Sequence, residues 1–180
     1  MIYLFLANGF EEVEALAPLD LLRRAGLNVT TVAVGTKDFV IGAHGIPVEA
    51  DLPEELFRDS KPEAVILPGG MPGAKNLDAS RTVDVALRAC QNSGGLLAAI
   101  CAAPMILGKR GYLQGKNATC FPGFEKDLRG AILPGKKVVR DGNLITAAGM
   151  GVAVEFGLEL VAYFCGENKA KELARAIQMN

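Results

Sequence analysis

The chain has 180 residues, half of them apolar and 22% charged, which is enough for one hydrophobic core and ordinary for a globular protein. A formal net charge of −1 with no basic run argues against nucleic acid or an anionic membrane as partner. No apolar stretch approaches the ~20 residues of a membrane span. The apolar start lacks the basic flank and length of a secretion signal, so a cytoplasmic location is expected.

Ile2 to Ala7 reads as a fully buried strand, turned by Asn8-Gly9. Glu11 to Ala25 follows as a helix, acidic at its start and basic at its end (Arg23, Arg24), with Gly26 as the stop. Asn28 to Val34 reads as the second strand, and Phe39 to Val48 as a hairpin whose turn carries the single histidine, His44, expected at the surface. Ala64 to Leu67 is another buried strand, ended by Pro68-Gly69-Gly70. Val83, Ala86, Leu87 and Cys90 mark the buried face of the next helix. Leu96 to Ile100 predicts a strand running directly into a helix from about Ala103 to Arg110. Val138 to Arg140 and Leu144 to Ala147 predict a hairpin around Asp141-Gly142-Asn143. Two helices close the chain: Val152 to Cys165, apolar nearly all round, and one burying Ala170, Leu173, Ala174 and Ile177. Strands alternating with helices predict an α/β class: a doubly wound, mostly parallel sheet with helices on both faces, in a single domain over 1–180.

In such sheets, sites form beyond the carboxyl ends of the strands. Three segments bring unusual residues there. At Ala98-Ala99-Ile100-Cys101-Ala102-Ala103-Pro104 a strand meets a helix with cysteine at the junction, small residues on both sides, and Pro104 in the first helical turn. This resembles a nucleophile elbow with sulfur in place of oxygen, and the helix N-terminus is expected to depress the pKa of Cys101. Glu14 shares its helical row with Ala17, Pro18 and Leu21, so it should point inward, while Glu11 and Glu12 remain nearer solvent. Desolvation should keep Glu14 protonated, able to donate to a thiolate and to shuttle a proton. The N–H groups of Gly69, Gly70 and Ala102 are candidates for an oxyanion hole. Cys90 and Cys165 fall at core spacing; Cys120 reads either as packing or as a second thiol near the first. The cysteine spacings fit no zinc site, and neither metal nor cofactor is expected.

Together these segments resemble the ThiJ/PfpI superfamily, on the branch of the Parkinsonism-associated protein deglycase and bacterial YajL. The resemblance rests on Gly9-Phe10-Glu11-Glu12-Val13-Glu14, Leu22-Arg23-Arg24-Ala25-Gly26, Leu67-Pro68-Gly69-Gly70 and the segment around Cys101. Phe121-Pro122 with Lys126-Asp127, and Gly149-Met150-Gly151, match as well. It implies a flavodoxin-like fold, Cys101 as the reactive cysteine and Glu14 as its protonated partner. It also implies a homodimer paired around Leu21 to Arg24. The implied function is a cofactor-free glyoxalase or deglycase, forming a hemithioacetal on Cys101 with methylglyoxal, glyoxal or early glycation adducts. The alternative is an oxidative-stress sensor or chaperone in which Cys101 is oxidised to sulfinate. Protease and amidotransferase chemistry are disfavoured, because Ala102 stands where PfpI-type proteases carry histidine and no histidine lies downstream. Phe121 stands where some relatives keep a histidine near the thiol.

Overall fold

A computed structural model describes residues 1–179. Seven strands form the main sheet: β1 (Ile2–Ala7), β2 (Val29–Val34), β5 (Leu52–Pro53), β6 (Ala64–Leu67), β7 (Leu96–Ile100), β8 (Val138–Asp141) and β9 (Leu144–Ala147). Their order is β5-β2-β1-β6-β7-β9-β8, parallel throughout except for the β8–β9 hairpin. A separate antiparallel pair, β3 (Phe39–Ile41) and β4 (Pro47–Glu49), is the expected hairpin. The architecture is the expected flavodoxin-like α/β sheet.

Alternation along the central strand explains the two cores. Leu4 and Leu6 point to one face, where they pack under α1 (Glu12–Arg24), α5 (Ala153–Cys165) and α6 (Glu167–Ala176). Phe5 and Ala7 point to the other, under α2 (Gly73–Ala79), α3 (Arg81–Asn92) and α4 (Pro104–Lys109). α1 and α5 touch closely. A Cβ on Gly157 would meet Leu21 Cδ1 at 2.6 Å and the Pro18 Cα at 2.9 Å, so only glycine lets these helices approach so far.

β5 and α2 carry no clear signal in the sequence. β5 is two residues long, and α2 begins at Gly73 right after Pro72, too short to show a helical period. Cys165, expected in the core, is exposed at the last turn of α5. No helix among the described residues is long and apolar enough to cross a membrane.

Candidate active site

β1 pairs with β2 on one side and β6 on the other, so the chain winds away from β1 in both directions. Beyond the carboxyl ends of β1, β6 and β7 lie the start of α1, the Gly69-Gly70 turn and the β7–α4 junction. Such a switch point leaves a crevice between diverging connections. All five sequence-predicted residues converge there.

Cys101 follows β7 directly and adopts φ 65°, in the left-handed region that L-residues with a Cβ rarely occupy. Its N–H donates to the Ala147 carbonyl at 2.9 Å, and its carbonyl accepts from the Phe121 N–H at 2.8 Å. The strained residue is thus held from both sides, a usual setting for a functional outlier. The thiol is half-buried.

Glu14 sits in the first turn of α1 and is only 1% exposed. Its row-mates Pro18 and Leu21 are buried with it. Glu11 caps the helix, its carboxylate accepting from the Glu14 N–H at 2.7 Å. Glu14 Oε2 accepts from the Gly69 N–H at 3.0 Å. A Cβ on Gly69 would lie 2.5 Å from that oxygen and 2.6 Å from the Cys101 Cβ, so glycine is what lets carboxyl and thiol meet across the turn. Because the Gly69 N–H is engaged by Glu14, the donors facing sulfur are the Gly70 and Ala102 N–H groups.

Burial pushes the Glu14 carboxyl up to about 7; Glu11's charge adds to this, while the hydrogen bonds from Cys101 and from the Gly69 and Met150 N–H groups oppose it. Burial, then the charge and hydrogen bond of Glu14, push the Cys101 thiol up to about 12, against the Gly70 and Ala102 N–H groups. The expected simple depression of the thiol is therefore not found. α4 is a short helix, and its N-terminal side reaches the sulfur chiefly as one N–H, too little to outweigh burial beside an ionised acid. Two of the three causes that raise the thiol are Glu14's own. With the proton on Glu14 they vanish, and the carboxyl becomes a donor to sulfur. The pair is a coupled acid–thiol unit with one negative charge to place.

Glu12 does not stay near solvent as expected. It is 4% exposed, and its carboxylate accepts from the His44 N–H at 2.7 Å and lies 2.8 Å from His44 Nδ1. Burial raises its pKa, but the hydrogen bonds from His44 win and hold it below the usual value. The exposed His44 ring is raised in turn by the hydrogen bond and charge of Glu12. Helical periodicity cannot show this, because the cover comes from the β3–β4 turn, 32 residues away. Ligand atoms of Glu11, Glu12 and His44 lie within 4.8 Å of one another. Both Glu12 oxygens are already engaged by His44 and Glu11 serves as the cap, so the group acts as a latch between hairpin and α1.

Two further neighbours complete the site: Phe121, which the resemblance places near the thiol, and Met150, whose role no sequence feature assigns. The Met150 N–H acts on Glu14, and Phe121 lies beside Gly149: a Cβ there would be 3.2 Å from the ring Cδ2 and 3.9 Å from Glu14 Oε1. The sequence signal for Met150 was the Gly149-Met150-Gly151 run ahead of an apolar helix, whose partner only folding reveals. The remaining thiols differ from Cys101. Cys90 is buried, donates to the Leu96 carbonyl at 3.3 Å and is pushed up to about 12 by burial. Cys120 is buried and raised to about 11 by burial and Glu125.

The comparisons agree with this architecture. The chain is 37% identical over 174 residues to Protein dj-1beta of Drosophila melanogaster, spanning 96% of this chain and 93% of that protein. It is 33% identical over 143 residues to Deglycase PH1704 of Pyrococcus horikoshii, spanning 78% of this chain and 85% of that one. Among solved structures, the C103A mutant of the DJ-1 superfamily protein STM1931 from Salmonella typhimurium superposes with TM-score 0.94 at 34% identity, covering 99% of this chain and 98% of that one. The model of the DJ-1/PfpI family matches residues 1–163, and the chain belongs to that family.

Proposed function

We propose that this protein is a cofactor-free glyoxalase or deglycase acting on methylglyoxal, glyoxal or early glycation adducts, with Cys101 as nucleophile and Glu14 as proton carrier. The observation that carries this reading is the pairing itself: a 1% exposed carboxyl, raised to about 7, against a thiol at a strained strand–helix junction. A carboxyl that titrates near neutral pH can both give and take a proton.

Proton transfer from thiol to Glu14 gives the thiolate, which adds to the aldehyde carbon. Glu14 returns the proton to the new alkoxide, completing a hemithioacetal. The Glu14 carboxylate then removes the hydrogen on that carbon, giving an enediolate; the hemithioacetal hydroxyl proton passes to the former ketone oxygen, and Glu14 delivers its own proton to the neighbouring carbon. The product is a thioester of a 2-hydroxy acid. The former aldehyde carbon is oxidised and the former ketone carbon reduced, so no external oxidant is needed. Water cleaves the thioester to the hydroxy acid and regenerates the thiol. The Gly70 and Ala102 N–H groups, whose hydrogen bonds act on the Cys101 sulfur, would stabilise the alkoxide as it forms. Glycated thiols and amines enter through the same hemithioacetal chemistry.

The test is lactate formation from methylglyoxal by wild type and Cys101→Ser. Many lactates per wild-type protein and none from the variant are expected; equal rates reject the assignment. A second reading, the redox sensor, is favoured by the half-burial of Cys101 beside two N–H donors, which would hold the oxygens of a sulfinate. It predicts one oxidation per thiol rather than turnover.

We extend the proposal to a homodimer. Leu21 and Leu22 face inward in the protomer, so a partner would meet the outer face of α1, where Val13, Arg23 and Arg24 are exposed.

A further inference from the structure

β8 is an outer strand of the main sheet, bonded to β9 alone. Its register decides which of its backbone groups are used. The Ala148 N–H donates to the Lys137 carbonyl at 2.8 Å, and the pairing continues as Val138 with Ala147 and Val139 with Thr146. Bonded positions alternate in an antiparallel pair, so Lys137, Val139 and Asp141 turn their backbone groups toward β9. The N–H and C=O groups of Val138 and Arg140 point away from the sheet. No hydrogen bond reaches these outward groups among the described residues. They form a row of donors and acceptors repeating about every 7 Å.

The charge along this edge is one-sided. Asp141 is taken up by the Asn117 N–H and side chain and by Lys116. Glu159 is taken up by Arg140, whose guanidinium also lies over the Tyr163 ring at 5.0 Å. Lys136 and Lys137 are exposed, and no acid pairs with either among the described residues. Lysines commonly guard an edge strand against stray pairing. A guard of one sign repels basic strands, and a second copy of the same edge, but attracts acidic ones.

We infer that the β8 edge is a docking site for an extended acidic segment of another protein, which adds to the sheet beside Val138 and Arg140 with its carboxylates against Lys136 and Lys137. A phosphate or lipid headgroup would satisfy the lysines, but it supplies acceptors only and leaves the outward carbonyls unpaired. An added strand satisfies both. The site is separate from Cys101 and does not depend on the chemistry there.

The probe is a capped, fluorescein-labelled heptapeptide with Glu at every second position and Val between, titrated by anisotropy. Binding is expected, with slower amide exchange at Val138 and Arg140. Two controls remove the backbone contact alone. Methylating every peptide nitrogen keeps the charge of the probe. Val138→Pro removes an N–H that the sheet does not use, a change that edge strands accept. Each should abolish binding. Reversing both lysines, Lys136→Glu with Lys137→Glu, should weaken it roughly tenfold. The same peptide with Lys in place of Glu should not bind. No binding of the acidic peptide, or equal binding of the methylated one, overturns the proposal. So does equal binding of the Lys peptide, because the edge then selects no charge. If Val138→Pro instead dissociates an oligomer of the free protein in sedimentation, a second copy occupies the edge and the acidic partner is rejected. Phosphatidylserine vesicles that bind wild type and Val138→Pro alike, while the peptide does not bind, would assign the lysines to a lipid surface and reject it too.

Discussion

Neither Cys101 nor Glu14 is an economical residue for stability. The cysteine holds a left-handed backbone conformation, and the carboxyl is buried with only N–H groups and a thiol around it. Folding raises Glu14 from an ordinary 4.5 to about 7, so the folded state binds its proton more tightly than the unfolded state does. The stability tied to that proton is fully present below about pH 4.5 and is lost as pH rises through 7, by about 3 kcal/mol at most. Urea denaturation of wild type and Glu14→Gln at pH 5 and pH 8 should show the variant losing much less over this interval; parallel losses would place the titration elsewhere. Glu14→Gln keeps a hydrogen-bond donor beside sulfur but carries no exchangeable proton of the right acidity. Its methylglyoxal turnover should drop by at least ~10²-fold, the lower end for a general acid–base group, while Cys101 remains open to iodoacetamide. Wild-type turnover in this variant would end the proposed mechanism.

At the scale of elements, the site stands on a stack. The β3–β4 hairpin bonds to the Gly9–Glu12 segment through the Gly9 N–H and Ile41 carbonyl, the Ala43 N–H and Phe10 carbonyl, and the Glu12–His44 latch. That segment in turn carries the Gly69-Gly70 turn, with the Glu11 N–H donating to the Gly69 carbonyl at 3.0 Å. Glu12→Ala would remove the acceptor that holds the His44 N–H and the exposed His44 ring against α1. A lower urea midpoint is expected, with faster amide exchange at residues 42–46. A variant as stable as wild type, with unchanged exchange, would show that the latch holds nothing. On the opposite flank of α1, Gly157→Ala should cost about 1–3 kcal/mol, because its methyl runs into Leu21 and the Pro18 backbone. A thermal midpoint equal to wild type would mean that α1 and α5 can part without loss.

For the whole molecule, the sheet order matters most: divergence of the chain on either side of β1 gathers three loops that are distant in sequence. Sedimentation at micromolar concentration should give a dimer, weakened by a charge at the outer face of α1, as in Val13→Glu; a monomeric wild type removes the dimer from the proposal. Much of this was legible in the chain itself. β1, β6 and β7 are continuous apolar runs and β9 is interrupted only by Thr146, as burial on both sides requires. Glu14 was legible because its apolar row-mates Ala17, Pro18 and Leu21 fix which side of α1 it occupies, and Cys101 because a cysteine between a buried strand and Pro104 marks a junction. Contacts between segments far apart were not legible. The burial of Glu12 depends on a turn 32 residues downstream, and the exposure of Cys165 on where α5 ends against α6. The thiol's upward shift depends on how close Gly69 lets a carboxyl approach sulfur. Periodicity reports which face of one element is apolar. Which element covers that face, and whose charge it brings, is decided only when the sheet assembles.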